Sequence, residues 1–376
     1  MSIELPSSTD SLLDTETLGD MPSKHIAVCV NRTSGHTLHL IGYSVIFIIG
    51  LLLNAIALGI FICCLRLNTV VSIYMCNLAV SDLLFTLSLP FRLHYYFHRE
   101  WPFGDPLCQL SGTLFQINMY GSCLFLLCIN IDRFIAIVYP LRLRHLRRVS
   151  VAWLVCIIIW IIIIISSIPV VFIHKTTSCR SGNQTVQLCF ERFSNSRWKG
   201  KILPMLVIAE VFGFLLPLAV VIYCSTRILL WFRRTMGLQT VRCRRTIRLL
   251  IANMLIFAIC FVPYNTTLTV YGLSKGKLIS LSQYAEANIR HILLWTMVMA
   301  SSNCVLDPAV YYFSTEGFCN TFGKIWTKSR GKEAMTGACH NVKTLHSGNE
   351  TQSQSGLALT FSSADKSITI ALGNKQ

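Results

Sequence analysis

The residues best placed to do chemistry in this chain are polar side chains stranded in apolar surroundings. Asp82 is the only formal charge between Leu67 and Phe91, and Asn54, Asn118, Ser122, Asn303 and Asp307 sit deep in other apolar stretches. An acid at such depth costs several kcal/mol unless it faces a polar interior. If these groups converge, their oxygens suit a small hard cation such as sodium. A helix-to-helix hydrogen-bond network without an ion is the other reading. Asp132-Arg133-Phe134 follows an uncharged stretch of about 25 residues and is expected to end its helix at the cytoplasmic edge. An adjacent acid and arginine can pair there, and the arginine can later be released to a partner. No G-x-S-x-G, H-E-x-x-H or C-x-x-C motif occurs, and the acids of the apolar stretches lie singly. Neither nucleophile–base chemistry nor a metal-ligand set follows, so the chain reads as a non-enzyme.

The elements that carry these groups are long and apolar. Hydrophobic residues make up 53% of the chain and charged residues 13%. The charged share is about half that of a soluble domain. Uncharged runs extend over Leu38–Leu65, Leu107–Ile131, Val149–Ile173 and Leu249–Ser274. Three more, Leu67–Phe91, Ile202–Thr226 and His291–Thr315, hold one acid each: Asp82, Glu210 and Asp307. At roughly 1.5 Å per residue each crosses a hydrocarbon core of about 30 Å, and backbone in lipid is satisfied here only as helix. The expected fold is therefore an all-α integral membrane bundle of seven transmembrane helices over 38–314. Five prolines, Pro90, Pro169, Pro217, Pro263 and Pro308, interrupt the spans, and each should bend its helix.

Charge sets the orientation. Arg66 and the segments 133–148 and 227–248 hold thirteen arginines and no acid, whereas residues 1–37 carry five acids against Lys24 and Arg32. The amino end is expected outside and the carboxyl end in the cytoplasm. Much of the net charge of +16 is this bias, so nucleic acid is not an expected partner. Residues 1–37 lack the basic and apolar regions of a signal peptide, and the first span is expected to direct insertion. Cys29, Cys108, Cys179 and Cys189 fall on the oxidising side, as do the glycosylation acceptors Asn31 and Asn183. Beyond Gly331 the Ser/Thr-rich chain reads as a disordered tail, assigned to 329–376.

In order along the chain stand Gly50-x-x-x-Asn54, Asn77-Leu78-Ala79-x-x-Asp82-Leu83, Cys108, Asp132-Arg133-Phe134 and Trp160. Pro217, Cys260-Phe261-Val262-Pro263 and Asp307-Pro308-x-x-Tyr311 complete the series. This order and spacing resemble the rhodopsin-like (class A) G-protein-coupled receptors over roughly residues 38–327. The resemblance implies a plasma-membrane receptor coupled to heterotrimeric G proteins, with arrestins and receptor kinases as further partners. It implies that Asp132, Arg133 and Tyr311 act in G-protein activation and that Phe257, Phe261 and Pro263 form a switch. Phe318 and Phe322 look like the short amphipathic eighth helix, placed at 315–328. The family disulfide maps onto Cys108–Cys189, which leaves Cys29–Cys179 as a second pair. Phe134, Phe261 and Asp307 depart from the usual Tyr, Trp and Asn, as in the purinergic-like branch. Ser225 stands where the family usually has Tyr, with Tyr223 nearby.

Within that branch the chain is similar to the lysophosphatidic acid receptors. Ser72–Ala79, Asn118–Cys123, Tyr139–Arg148, Leu188–Ser194 and Asn303–Phe313 carry the likeness. Lysophosphatidic acid is then the implied agonist, with a nucleotide or another lysophospholipid as the alternative on the same fold. A transporter or channel fits less well, since no repeat relates the two halves. The likeness places headgroup contacts at the outer helix ends. Arg92 is expected to end helix 2, His174 helix 4 and Lys275 helix 6, with Arg290 beginning helix 7. Tyr95, Gln116, Tyr120 and Glu210 are expected to line the cavity below. An acid such as Glu210 should hydrogen-bond neutral groups or pair with a basic neighbour. Six basic residues against one acid in 175–201 run against the topological bias, as recruitment of an anionic ligand would.

Overall fold

The computed structural model describes residues 27–28, 36–173, 176–181, 184–189, 202–235 and 241–314, together with Phe318 and Thr321. His174, Cys29, Asn31, Asn183, Phe322 and the tail 329–376 lie outside the described residues, as does the side chain of Cys179. Seven helices are long and apolar enough to cross a membrane. They are α1 (Thr37–Cys64), α2 (Val70–His98), α3 (Gly104–Val138), α4 (Val149–Pro169), α5 (Leu203–Thr235), α6 (Cys243–Lys275) and α7 (Gln283–Tyr312). Among the described residues beyond α7, Phe318 and Thr321 are helical.

Two helix starts are written in the local sequence. Thr69 caps α2 by accepting the Ser72 amide at 3.2 Å, and Ser282 caps α7 by accepting the Ala285 amide at 3.2 Å. Each satisfies one of the amides that a helix start leaves without a partner.

α3 is the central strut, packed against α2, α4 and α5, while α1 lies against α2 and α7. One continuous core joins Phe85, Phe115, Phe125, Phe257, Phe261 and Tyr311. Ile157, Ile161, Ile164, Ile165 and Ile168 of α4 face outward, as a lipid-bathed helix requires.

The prolines of α5 and α6 act through widened turns. Ala209–Leu215 and Phe257–Phe261 are π-helical, and the amides of Leu216 and Val262 reach back five residues to Val211 and Phe257. Pro217 and Pro263 follow directly and have no amide to continue the ladder, so the helix loosens in the preceding turn. α5 also approaches α3 closely there. A Cβ on Gly213 would stand 2.6 Å from Cδ1 of Tyr120, so only glycine fits against that ring.

Outside the membrane, β2 (Thr177–Ser181) and β3 (Gln184–Leu188) form an antiparallel hairpin, joined in parallel by β1 (Ala27–Val28). The Cys108–Cys189 bridge ties the hairpin to the head of α3, as the family resemblance implies, with Cα atoms 5.9 Å apart. Trp101 donates its backbone amide to the Gln187 carbonyl at 2.9 Å and its indole N–H to Gly104 at 2.8 Å.

The helices run longer than their apolar cores. α3 continues past Asp132-Arg133-Phe134 to Val138, so the motif does not end the helix. Most of the expected cytoplasmic loop at 227–248 is helix as well, leaving only 236–240 outside the described residues. Charged residues can stay helical beyond the hydrocarbon because water and headgroups solvate them.

Candidate functional site

The inner polar cluster assembles as the sequence suggests. Asp82 is fully buried and accepts a hydrogen bond from Asn118 Nδ2 at 2.8 Å. The Tyr311 hydroxyl lies 3.4 Å from Asp82 Oδ2 and 3.5 Å from Asn54 Oδ1. Asn303 donates to Ser122 Oγ at 2.9 Å, and Asn54 donates to the Cys304 carbonyl at 2.7 Å. α1, α2, α3 and α7 therefore meet at one polar point. Asp307 is also fully buried, and no donor is directed at either of its oxygens among the described residues. Its carboxyl lies beside that of Asp82. Two acids and several neutral oxygens, with no cationic side chain joined to them among the described residues, form a donor set that fits a small hard cation. Sequence reading missed Cys304, whose Sγ is 3.5 Å from Asn118 Oδ1. A thiol in an apolar span gives no polar signal.

The switch phenylalanines lie in the common core. Phe257 and Phe261 are buried and meet edge to face at 5.3 Å, inside the π turn before Pro263. Ser225 faces the bundle, whereas Tyr223 is exposed toward lipid with its ring 5.9 Å from Phe134. Trp160 of α4 donates to Asn77 Oδ1 at 2.9 Å, which explains that motif pair as a tether between α2 and α4.

The outer residues are brought together only in part. Arg92 does not end α2, which continues to His98. Arg92 is 1% exposed, and its guanidinium donates to Ser111 Oγ at 3.0 Å and to the Ser111 carbonyl at 2.7 Å. It also lies over the rings of Tyr43 and Phe115. Tyr95 packs beside Trp101, Cys108 and Cys189 in a separate outer cluster. Gln116 is half-buried on α3 and Tyr120 is buried against Gly213. Glu210 is buried in the α5 π turn, and its Oε1 has no hydrogen-bond partner among the described residues. Lys275 is the last residue of its helix, ion-paired with Glu286 in the first turn of α7 and 5.7 Å above the Tyr271 ring. Arg290 does not begin α7; it lies further in, half-buried, with no ion pair among the described residues. Ser111 and Glu286 were not singled out by sequence. Glu286 had one available signal, its place in the first turn of a helix close to a basic helix end.

At the inner end, Asp132 is paired with Arg133 at 3.2 Å and, unexpectedly, with Arg147 at 2.8 Å. Arg147 belongs to the short 3-10 turn Arg144–Arg147. Just before that turn, Leu141 is 87% exposed.

Residues 53–311 match the family described as 7 transmembrane receptor (rhodopsin family). The chain is 54% identical to lysophosphatidic acid receptor 5 of Bos taurus, over 78% of this chain and 80% of that one. It is 50% identical to lysophosphatidic acid receptor 5 of Mus musculus, over 84% and 85%. Against lysophosphatidic acid receptor 6 of Homo sapiens the identity is 38%, over 84% and 94%. With seven spans in register, the bridge from α3 to the outer hairpin and the polar cluster across four helices, the chain belongs to the rhodopsin family of seven-transmembrane receptors.

Proposed function

We propose that this chain is a plasma-membrane receptor for lysophosphatidic acid, passing lipid binding outside to heterotrimeric G proteins inside. The reading is carried by the 50% and 54% identity to receptors named for that lipid, each over most of both chains. Two cations at the outer mouth, Lys275 and Arg290, suit its phosphate, Lys275 as a point charge and Arg290 as a bidentate fork. At the inner side, an exposed leucine at position 141 among Arg142, Arg144 and Arg148 offers an apolar contact inside a basic rim. Asp132, Arg133 and Tyr311 transmit the change, and Phe257 and Phe261 repack as the turn before Pro263 tightens or opens. Arrestins and receptor kinases are expected at the Ser/Thr-rich tail. The test is a panel of lysophosphatidic acid, other lysophospholipids and nucleotides, read by G-protein dissociation in cells expressing the chain. Lysophosphatidic acid should activate it; activation by a nucleotide alone would overturn the ligand.

In the same reading, Asp82, Asn118, Ser122, Asn303 and Asp307 hold a sodium ion, which supplies a counter-charge to the two buried acids. Sodium at a hundred times its Kd would stabilise the bundle by about 2.7 kcal/mol. Replacing potassium by sodium should therefore raise the thermal midpoint of the purified receptor, and Asp307→Asn should abolish that gain. An unaltered midpoint in the parent chain would leave these residues as a hydrogen-bonded tether.

A further inference from the structure

Asp132 has two arginines on its carboxylate, and the three-residue motif accounts for only one of them. Arg133 reaches Oδ2 with Nη2 at 3.2 Å. Arg147 comes from the turn between α3 and α4. It donates from Nε to Oδ1 at 2.8 Å and from Nη2 to Oδ2 at 3.5 Å, so it engages both oxygens. The Asp132 side chain is 3% exposed and that of Arg147 35% exposed. A buried carboxylate is costly to leave without a counter-ion, and breaking a buried pair costs more than the pair contributes. If Arg133 moves away to meet a partner, Asp132 keeps its charge compensated only while Arg147 stays.

We propose that Arg147 is a positioning residue that holds the charge of Asp132 while Arg133 is released, and so eases activation. Its role rests on the reading above, in which Arg133 is the group handed to the G protein. The geometry gives the clasp its direction. The shorter of the two contacts belongs to Arg147, which sits on a separate turn anchored at the start of α4, so Arg133 can leave without moving it.

The experiment is a double-mutant cycle read by basal and agonist-driven G-protein dissociation, with surface expression measured in parallel. Asp132→Asn alone should raise basal activity, because the lock on Arg133 is gone. Arg147→Ala should lower basal activity and weaken agonist potency by about tenfold, within the usual range for coupled sites. Arg147→Lys should keep most of the parent response. In the Asp132→Asn background an amide needs no counter-ion, so Arg147→Ala should then change nothing further. If Arg147→Ala fails to reach the surface, Arg147→Gln takes its place. Higher basal activity in Arg147→Ala would make the clasp a lock and overturn the proposal. So would an equal loss in both backgrounds, which would mean that Arg147 touches the partner or the membrane directly. Unchanged basal activity in Asp132→Asn would instead overturn the reading of Arg133, and the proposal with it.

Discussion

Arg92→Ala is expected to lower the amount of folded receptor, and not only its response to agonist. A guanidinium at a helix end, open to the outer mouth, would be removed at little structural cost. Arg92 stands instead more than a turn inside α2, buried, with Nε and Nη2 both spent on Ser111 of α3. Tyr43 of α1 and Phe115 of α3 pack against its faces. Alanine would leave the Ser111 hydroxyl and carbonyl without these donors and open a void where three helices meet. Lost hydrogen bonding and the void together should cost about 2–5 kcal/mol. The thermal midpoint in detergent and surface expression should both fall. Arg92→Lys should recover only part of this, since an ammonium cannot fork to two acceptors. Normal expression with a large loss of agonist potency would show that the guanidinium meets the ligand and that its hold on Ser111 is incidental.

The outer cations should behave in the opposite way, with large effects on potency and small ones on folding. Lys275 is already paired with Glu286, so a phosphate must compete with an internal carboxylate for it. Glu286→Gln should therefore raise the potency of lysophosphatidic acid several-fold, while Lys275→Ala should lower it. Arg290→Ala should cost more, about 1.5–3 kcal/mol as for hydrogen bonds to charged groups, or roughly 10–100-fold in potency. Surface expression should hold in all three, because the partly exposed Lys275–Glu286 pair contributes only about 0–1 kcal/mol and Arg290 has no ion pair among the described residues to lose. Full dose–response curves at two salt concentrations decide the matter. A Glu286→Gln receptor with unchanged potency would mean that the carboxylate does not compete. Unchanged potency in Arg290→Ala would remove the phosphate from this end of α7.

Seven spans and their orientation were legible in the residues themselves, whereas the sequence raised the convergence of Asp82, Asn118, Ser122, Asn303 and Asp307 only as a condition. Lipid forces each long apolar run into a helix, and arginine bias orients the set, so both are properties of the chain read in one dimension. An intramembrane acid is costly enough to need polar partners, which is why a cluster around Asp82 was worth posing; the packing decided which groups meet there.

Partner choice was decided by the tertiary structure. Ser111 for Arg92, Glu286 for Lys275 and Arg147 for Asp132 all sit on a neighbouring element. Whether a side chain meets its partner depends on how far its helix is rotated and how deep it is set. One residue changes these by about 100° and 1.5 Å, and apolar patterning tolerates both. The same holds for the prolines. Pro217 and Pro263 predict a disturbance, but packing on the neighbouring helices decides that it takes the form of a widened turn.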